Sequence, residues 1–110
     1  MALTSGVDAL REHAVGYGAE PDEVDRTVAR LRAPDHVVSN TLIHLGDRAV
    51  QVEHPGRGHT DHDLAVIVPP RNPAEPPVVF CGDLIEESAD PAADEGSDLA
   101  AWPVTVDRLL

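Results

Sequence analysis

The apolar residues of this 110-residue chain change their period once, near Thr41, and that change constrains the fold more than any other feature. Before it the spacing is helical. Val7, Leu10 and Ala14 share one face of a helix expected over residues 5–15, with Ser5 and Asp8 in a capping arrangement and Tyr17-Gly18 as its end. A second helix is expected from Pro21, which suits a first turn. Asp22 and Glu23 complement the amino-terminal end of the helix dipole, and Val24, Val28 and Leu31 form an apolar stripe. Arg30 and Arg32 lie near its expected end, and Pro34 stops it.

From Thr41 the period is two. Thr41, Ile43 and Leu45 alternate with Leu42 and His44, Gly46-Asp47 makes a tight turn, and Val50, Val52 and His54 alternate with Ala49, Gln51 and Glu53. This pattern predicts a hairpin. Leu64 to Val68 is an unbroken apolar run and predicts a strand covered on both faces. The segment from Pro69 to Pro77 holds five prolines and reads as an exposed connection. Val78 to Cys81 predicts a short buried strand, and Ser88 to Gly96 an acidic, alanine-rich loop. A last helix is expected from Trp102-Pro103 to Leu110, packing through Val106, Leu109 and Leu110. The expected class is α/β in the α+β sense, as a single domain with a helical segment at 1–35 and a sheet with terminal helix at 41–110.

Charge narrows the function. Twenty acids face eight arginines and no lysine, a net charge of -12. Such a surface repels phosphate backbones, so nucleic acid is not an expected partner. The lack of lysine excludes a Schiff base and a phosphate-gripping lysine. One cysteine forbids an internal disulfide, no apolar stretch is long enough to span a bilayer, and no secretory leader is evident, so a cytoplasmic location is expected. Only Tyr17, Phe80 and Trp102 are aromatic, which leaves a thin core of Val, Leu, Ile and Ala.

Two loops carry residues with chemistry. His54-Pro-Gly-Arg-Gly-His-Thr-Asp-His-Asp63 presents His59 between a predicted strand and an apolar run, with Gly56 and Gly58 freeing the backbone. Cys81-Gly-Asp83 presents Asp83 after a short strand. Imidazole and carboxylate suit Zn²⁺, Mn²⁺ or Fe²⁺. The same residues admit plainer roles, His59 as a solvated or hydrogen-bonded loop residue and Asp83 as a turn former. Thr60 is positioned to hydrogen-bond within its loop or to a neighbouring ligand. His36 and His44 read as a surface and a strand residue, and Cys81 as core.

These segments carry a resemblance. Leu45-Gly-Asp-Arg48, His54-Pro-Gly-Arg-Gly-His-Thr60 followed by Asp63-Leu64, Phe80-Cys-Gly-Asp-Leu84 and the tail from Trp102 to Leu110 together resemble the metallo-β-lactamase fold superfamily, in particular its glyoxalase-II-like hydrolases. Residues 3–35 look similar to the helical segment preceding the hairpin in such proteins. The resemblance implies an αββα sandwich, of which this chain would be a part, and a dinuclear zinc centre. It implies that His59 completes the first metal's histidine set and that Asp83 bridges both metals. An aspartate at that position points to ester, thioester or lactone hydrolases. His62 departs from the pattern, which has glycine there.

The family's His-x-His-x-Asp-His motif occurs nowhere in the sequence, and neither does its final metal-binding histidine. The expectation is therefore a truncated, hydrolase-like protein without independent activity, binding zinc weakly or not at all. Two alternatives stand beside it. One is half of a split zinc-dependent hydrolase completed by a partner chain. The other is a small acidic interaction protein without catalysis. Each would use an exposed apolar sheet face for self-association or a partner.

Overall fold

The computed structural model describes residues 2–110, with side chains from Gly6 onward. They divide into two compact units, one up to Val37 and one comprising Val38–Leu110. The class is α+β: three helices and one four-stranded antiparallel sheet. None of the helices among the described residues is long and apolar enough to cross a membrane.

The first unit is a helical pair, α1 (Ala2–Gly16) and α2 (Pro21–Val28). α1 starts ahead of Ser5, whose side chain lies outside those described, so Ser5 falls inside the helix and not at its cap. It ends in a left-handed glycine motif. Gly18 has φ +95°, its N–H donates to the Val15 carbonyl, and the Ala19 N–H reaches back to Ala14. Tyr17-Gly18 therefore ends the helix as the sequence predicts.

α2 is shorter than its charge pattern predicts. Beyond Val28 the bonds tighten, Arg30 N–H to Thr27 and Leu31 N–H to Val28, and the helix dissolves before Arg30 and Arg32 are reached. Pro34 disfavours helical backbone at Ala33, so the chain unwinds a turn ahead of the proline. The Arg11 guanidinium grips Asp25 through two hydrogen bonds of 2.5 and 3.1 Å and links the two helices. No described side chain of this unit is buried.

The second unit is a meander, β1 (Asn40–His44), β2 (Ala49–Glu53), β3 (Ala65–Val68) and β4 (Val78–Phe80), followed by α3 (Trp102–Leu109). Strand order follows chain order and every pair is antiparallel. The predicted hairpin is present: Ile43 pairs with Val50, and Leu45 N–H closes the turn on the Arg48 carbonyl at 2.7 Å.

Register sorts the side chains into two faces. Thr41, Ile43, Val50, Val52, Val66, Val68, Val78 and Phe80 share one, without a single charge among them. The other carries Asn40, His44, Gln51 and Glu53 on β1 and β2, then Ala65, Ile67 and Val79 on β3 and β4. The core forms on this second face. Ala65, Leu84, Trp102 and Leu109 are buried together, and Val79, Cys81 and Val106 pack against them.

Three expectations are corrected by this arrangement. The run Leu64 to Val68 is not covered on both faces: only Ala65 is buried, and Leu64 lies outside the strand. Val78 to Cys81 is not a buried strand, because β4 is an edge and Phe80 is 62% exposed. Both runs are apolar on the face away from the core. In α3, Trp102, Thr105 and Leu109 are the buried stripe, at offsets of three and seven, and Leu110 is exposed rather than packed.

Candidate functional site: the His59 loop and Asp83

The antiparallel meander gathers the two loops at one end of the sheet. The His59 loop joins the end of β2 to the start of β3, and the Asp83 segment leaves the end of β4, where Phe80 pairs with Val66. Gly82, at φ +52°, turns the chain into a short 3-10 turn over Gly82–Leu84. Asp83 is exposed, whereas Leu84 is buried beneath the turn.

His59 is brought to both neighbouring carboxylates. Its Nδ1 lies 3.8 Å from Asp83 Oδ2 and 3.7 Å from Asp63 Oδ1, with side chains 21%, 68% and 12% exposed for His59, Asp83 and Asp63. Both separations exceed hydrogen-bond length. The imidazole stands edge-on to the Trp102 indole, with ring centroids 5.9 Å apart and planes at 70°.

Asp63 organises the loop. Its Oδ2 accepts the Thr60 N–H and its Oδ1 the Thr60 hydroxyl, each at 2.8 Å. Its own carbonyl accepts from His54 Nδ1 at 2.8 Å, so that histidine carries its proton on Nδ1. Thr60 thus bonds within its loop and touches neither His59 nor Asp83. His62 points outward and pairs with Asp61 at 2.7 Å, and this contact holds the Asp61 carboxyl below the usual carboxylate range. His36 and His44 lie exposed, away from this loop in sequence, and Cys81 packs with the core.

The carboxyl-terminal segment grips the loop through its backbone. The Arg108 guanidinium donates to the Pro55 carbonyl at 3.1 Å, the Thr105 hydroxyl to Arg57 at 2.6 Å, the Asp98 N–H to Gly58 at 2.8 Å and the Ser97 hydroxyl to His59 at 2.7 Å. Trp102 Nε1–H meanwhile donates to the Leu84 carbonyl at 2.9 Å, tying the Asp83 turn to the same helix. This approach explains the glycines. A Cβ at Gly56 would fall on the Thr105 hydroxyl, and one at Gly58 would lie 2.7 Å from Leu84 Cδ2 and 3.3 Å from the indole.

Sequence reasoning singled out His59 and Asp83 but missed Asp63 as the loop's organiser and Ser97, Thr105 and Arg108 as its clamp. The Thr-x-x-acid spacing of Thr60 and Asp63 is a legible signal, since it is the spacing of a capping box, here built without a following helix. The clamp has no local signature.

A metal ion would test the pair as follows. Two ligand atoms each about 2.0–2.2 Å from one zinc ion lie at most about 4.4 Å apart. The 3.8 Å between His59 Nδ1 and Asp83 Oδ2 therefore admits a shared ion along that edge. A catalytic zinc takes three protein ligands. Among the described residues no group of three or more histidine, cysteine, aspartate or glutamate side chains is placed to hold a metal. The pair fits one edge of a coordination shell and falls short of a site. No protein-family model matches the chain.

Proposed function

We propose that Val38–Leu110 is part of a metal-dependent acyl hydrolase of the metallo-β-lactamase type, and that the 110-residue chain by itself does not hydrolyse. The observation that carries this reading is the convergence of His59 and Asp83 from separate loops to 3.8 Å, although among the described residues no group of three or more possible ligands is placed to hold a metal and the nearby Asp63 carboxylate is taken up by Thr60. In this reading His59 and Asp83 would help to hold zinc, and the remaining ligands would come from residues other than these 110. A completed centre would supply Lewis-acid chemistry for hydrolysis of an ester or thioester. This chain's own contribution is positional. Thr60 and Asp63 shape the loop, and Ser97, Thr105 and Arg108 hold it against α3, so His59 is presented on a backbone fixed from both sides.

The bare sheet face favours a second, compatible reading, in which a partner chain completes the centre. Eight uncharged side chains lie on it, and Ile43, Val78 and Phe80 are each about half exposed. Uncharged apolar area of this kind marks association surfaces. An acidic interaction protein without catalysis would use the same face.

The test is zinc titration of the purified chain together with a thioester hydrolysis assay, with and without EDTA. The expected result is weak zinc binding, lost in the H59A and D83A variants, and no turnover. EDTA-sensitive turnover by the chain alone would overturn the proposed inactivity, and zinc binding indifferent to both substitutions would overturn the ligand assignment. For the split-enzyme reading, analytical ultracentrifugation with a candidate partner should give a complex holding about two metals per pair.

A further inference from the structure

An open cavity of about 470 Å³ lies between α3 and the segments that precede it, and neither His59 nor Asp83 lines it. Ile85, Leu99, Trp102 and Val106 wall it with apolar surface. Glu86 and Asp107 are the only charged residues lining it, and they come from different parts of the chain. No basic residue lines it. Arg108, next to Asp107 in sequence, is turned away to the Pro55 carbonyl. The ion pairs of the described residues involve Arg11, Arg57, Arg71, His59 and His62, and none reaches Glu86 or Asp107.

We propose that this cavity binds a small organic ammonium compound, with its aryl or alkyl body against Trp102 and Val106 and its charge toward Glu86 and Asp107. The walls exclude a fully polar ligand, because a polar group placed against them without partners loses its hydration. The two carboxylates and the net charge of -12 select the sign of the ligand's charge. An anion of equal size would be repelled by the carboxylates lining the cavity. Sites of this kind combine mostly apolar walls with a few placed polar groups that fix orientation. The inference involves no metal, and its failure would leave the reading of His59 and Asp83 untouched.

Trp102 is the only tryptophan in the chain, so its fluorescence reports on the cavity directly. The experiment is titration of the full chain at low ionic strength and neutral pH with phenethylamine and with phenylpropionate, followed by tryptophan emission. The amine should bind about tenfold more tightly than the acid, two exposed charge contacts being replaced by two repulsions. In the Glu86→Gln, Asp107→Asn double variant the ratio should shrink severalfold, leaving only the preference set by the rest of the acidic chain. Molar salt added to the natural chain should shrink the ratio in the same way, which keeps the test intact if the double variant does not fold. Equal binding of amine and acid by the natural chain would overturn the proposal. So would absence of binding, or a preference undiminished by neutralisation and by salt.

Discussion

The two faces of the sheet differ more than any other two regions of this molecule. On one face, polar residues of β1 and β2 bond among themselves, Gln51 to Asn40 at 3.3 Å and to Glu53 at 2.9 Å, Leu42 is exposed, and Ala65 and Val79 join the core with Trp102 and Leu109 of α3. On the other, eight uncharged residues from Thr41 to Phe80 lie outside the buried core. Amphipathic alternation usually pairs an apolar face with the core and a polar face with water. Here the division is by quadrant, and the uncharged face is the one without a share of the core. The proposed association would thus use the side opposite the one that carries stability. Substitutions on the α3 side should unfold the unit, and substitutions on the bare side should change what it sticks to.

The strongest way to break this comparison is Trp102→Ala. It removes the largest buried side chain of the core and leaves the Leu84 carbonyl without its donor, so a loss of about 3–5 kcal/mol is expected. Urea unfolding followed by circular dichroism measures it, since the variant has no tryptophan to report. Next comes Gly58→Ala, whose methyl meets Leu84 and the indole; about 1–3 kcal/mol of destabilisation is expected by the same measurement. Thr105→Val keeps the shape but leaves the Arg57 carbonyl unpaired, with about 1–2 kcal/mol expected, together with broadening of the His59 ring resonances as the loop loosens.

On the bare face, Ile43→Ser with Phe80→Ser should cost under about 1 kcal/mol in total while lowering the sedimentation-detected association of the chain. A loss as large as that of Trp102→Ala would end the distinction between the faces. The smallest effect belongs to the helical unit. Asp25 has its carboxyl lowered, chiefly by the hydrogen bonds from Arg11, with desolvation opposing them and the charge of Arg11 adding least. A depressed carboxyl stabilises above its unfolded value and loses that contribution as pH falls through the folded one. Helical signal from this unit should therefore weaken only in acid below the ordinary carboxylate range. In Arg11→Gln that acid-dependent change should shrink, and circular dichroism against pH reads both.

How much could be read from the sequence follows the distance between interacting residues. The hairpin was legible because Ile43 and Val50 keep a strict period of two on either side of Gly46, and the end of α1 because Gly18 is free to take positive φ. His59 and Asp83 were legible as chemistry, since imidazole and carboxylate after glycine-rich turns are uncommon in the middle of a strand pattern. The exposure of Phe80 was not legible. An apolar strand looks alike whether or not something covers it, and only the placement of α3 decides. The same holds for Leu110, one position beyond Leu109 and so turned about 100° away from the buried stripe. The extent of α2 was misjudged because a charge pattern marks a helix end less sharply than the proline that follows. The clamp on the loop was invisible because its acceptors are backbone carbonyls, which every residue has.

That clamp has a consequence for the order in which the chain acquires shape. The Thr105 hydroxyl and the carbonyl it holds, on Arg57, are 48 residues apart, and Arg108 and Pro55 are 53 apart. At about 5–20 residues per second, a ribosome needs roughly 2–11 seconds to pass from one to the other. For that interval the His59 loop is made but unheld, with its glycines free and its carbonyls facing water. A nascent chain would present the His59 loop before it could close it.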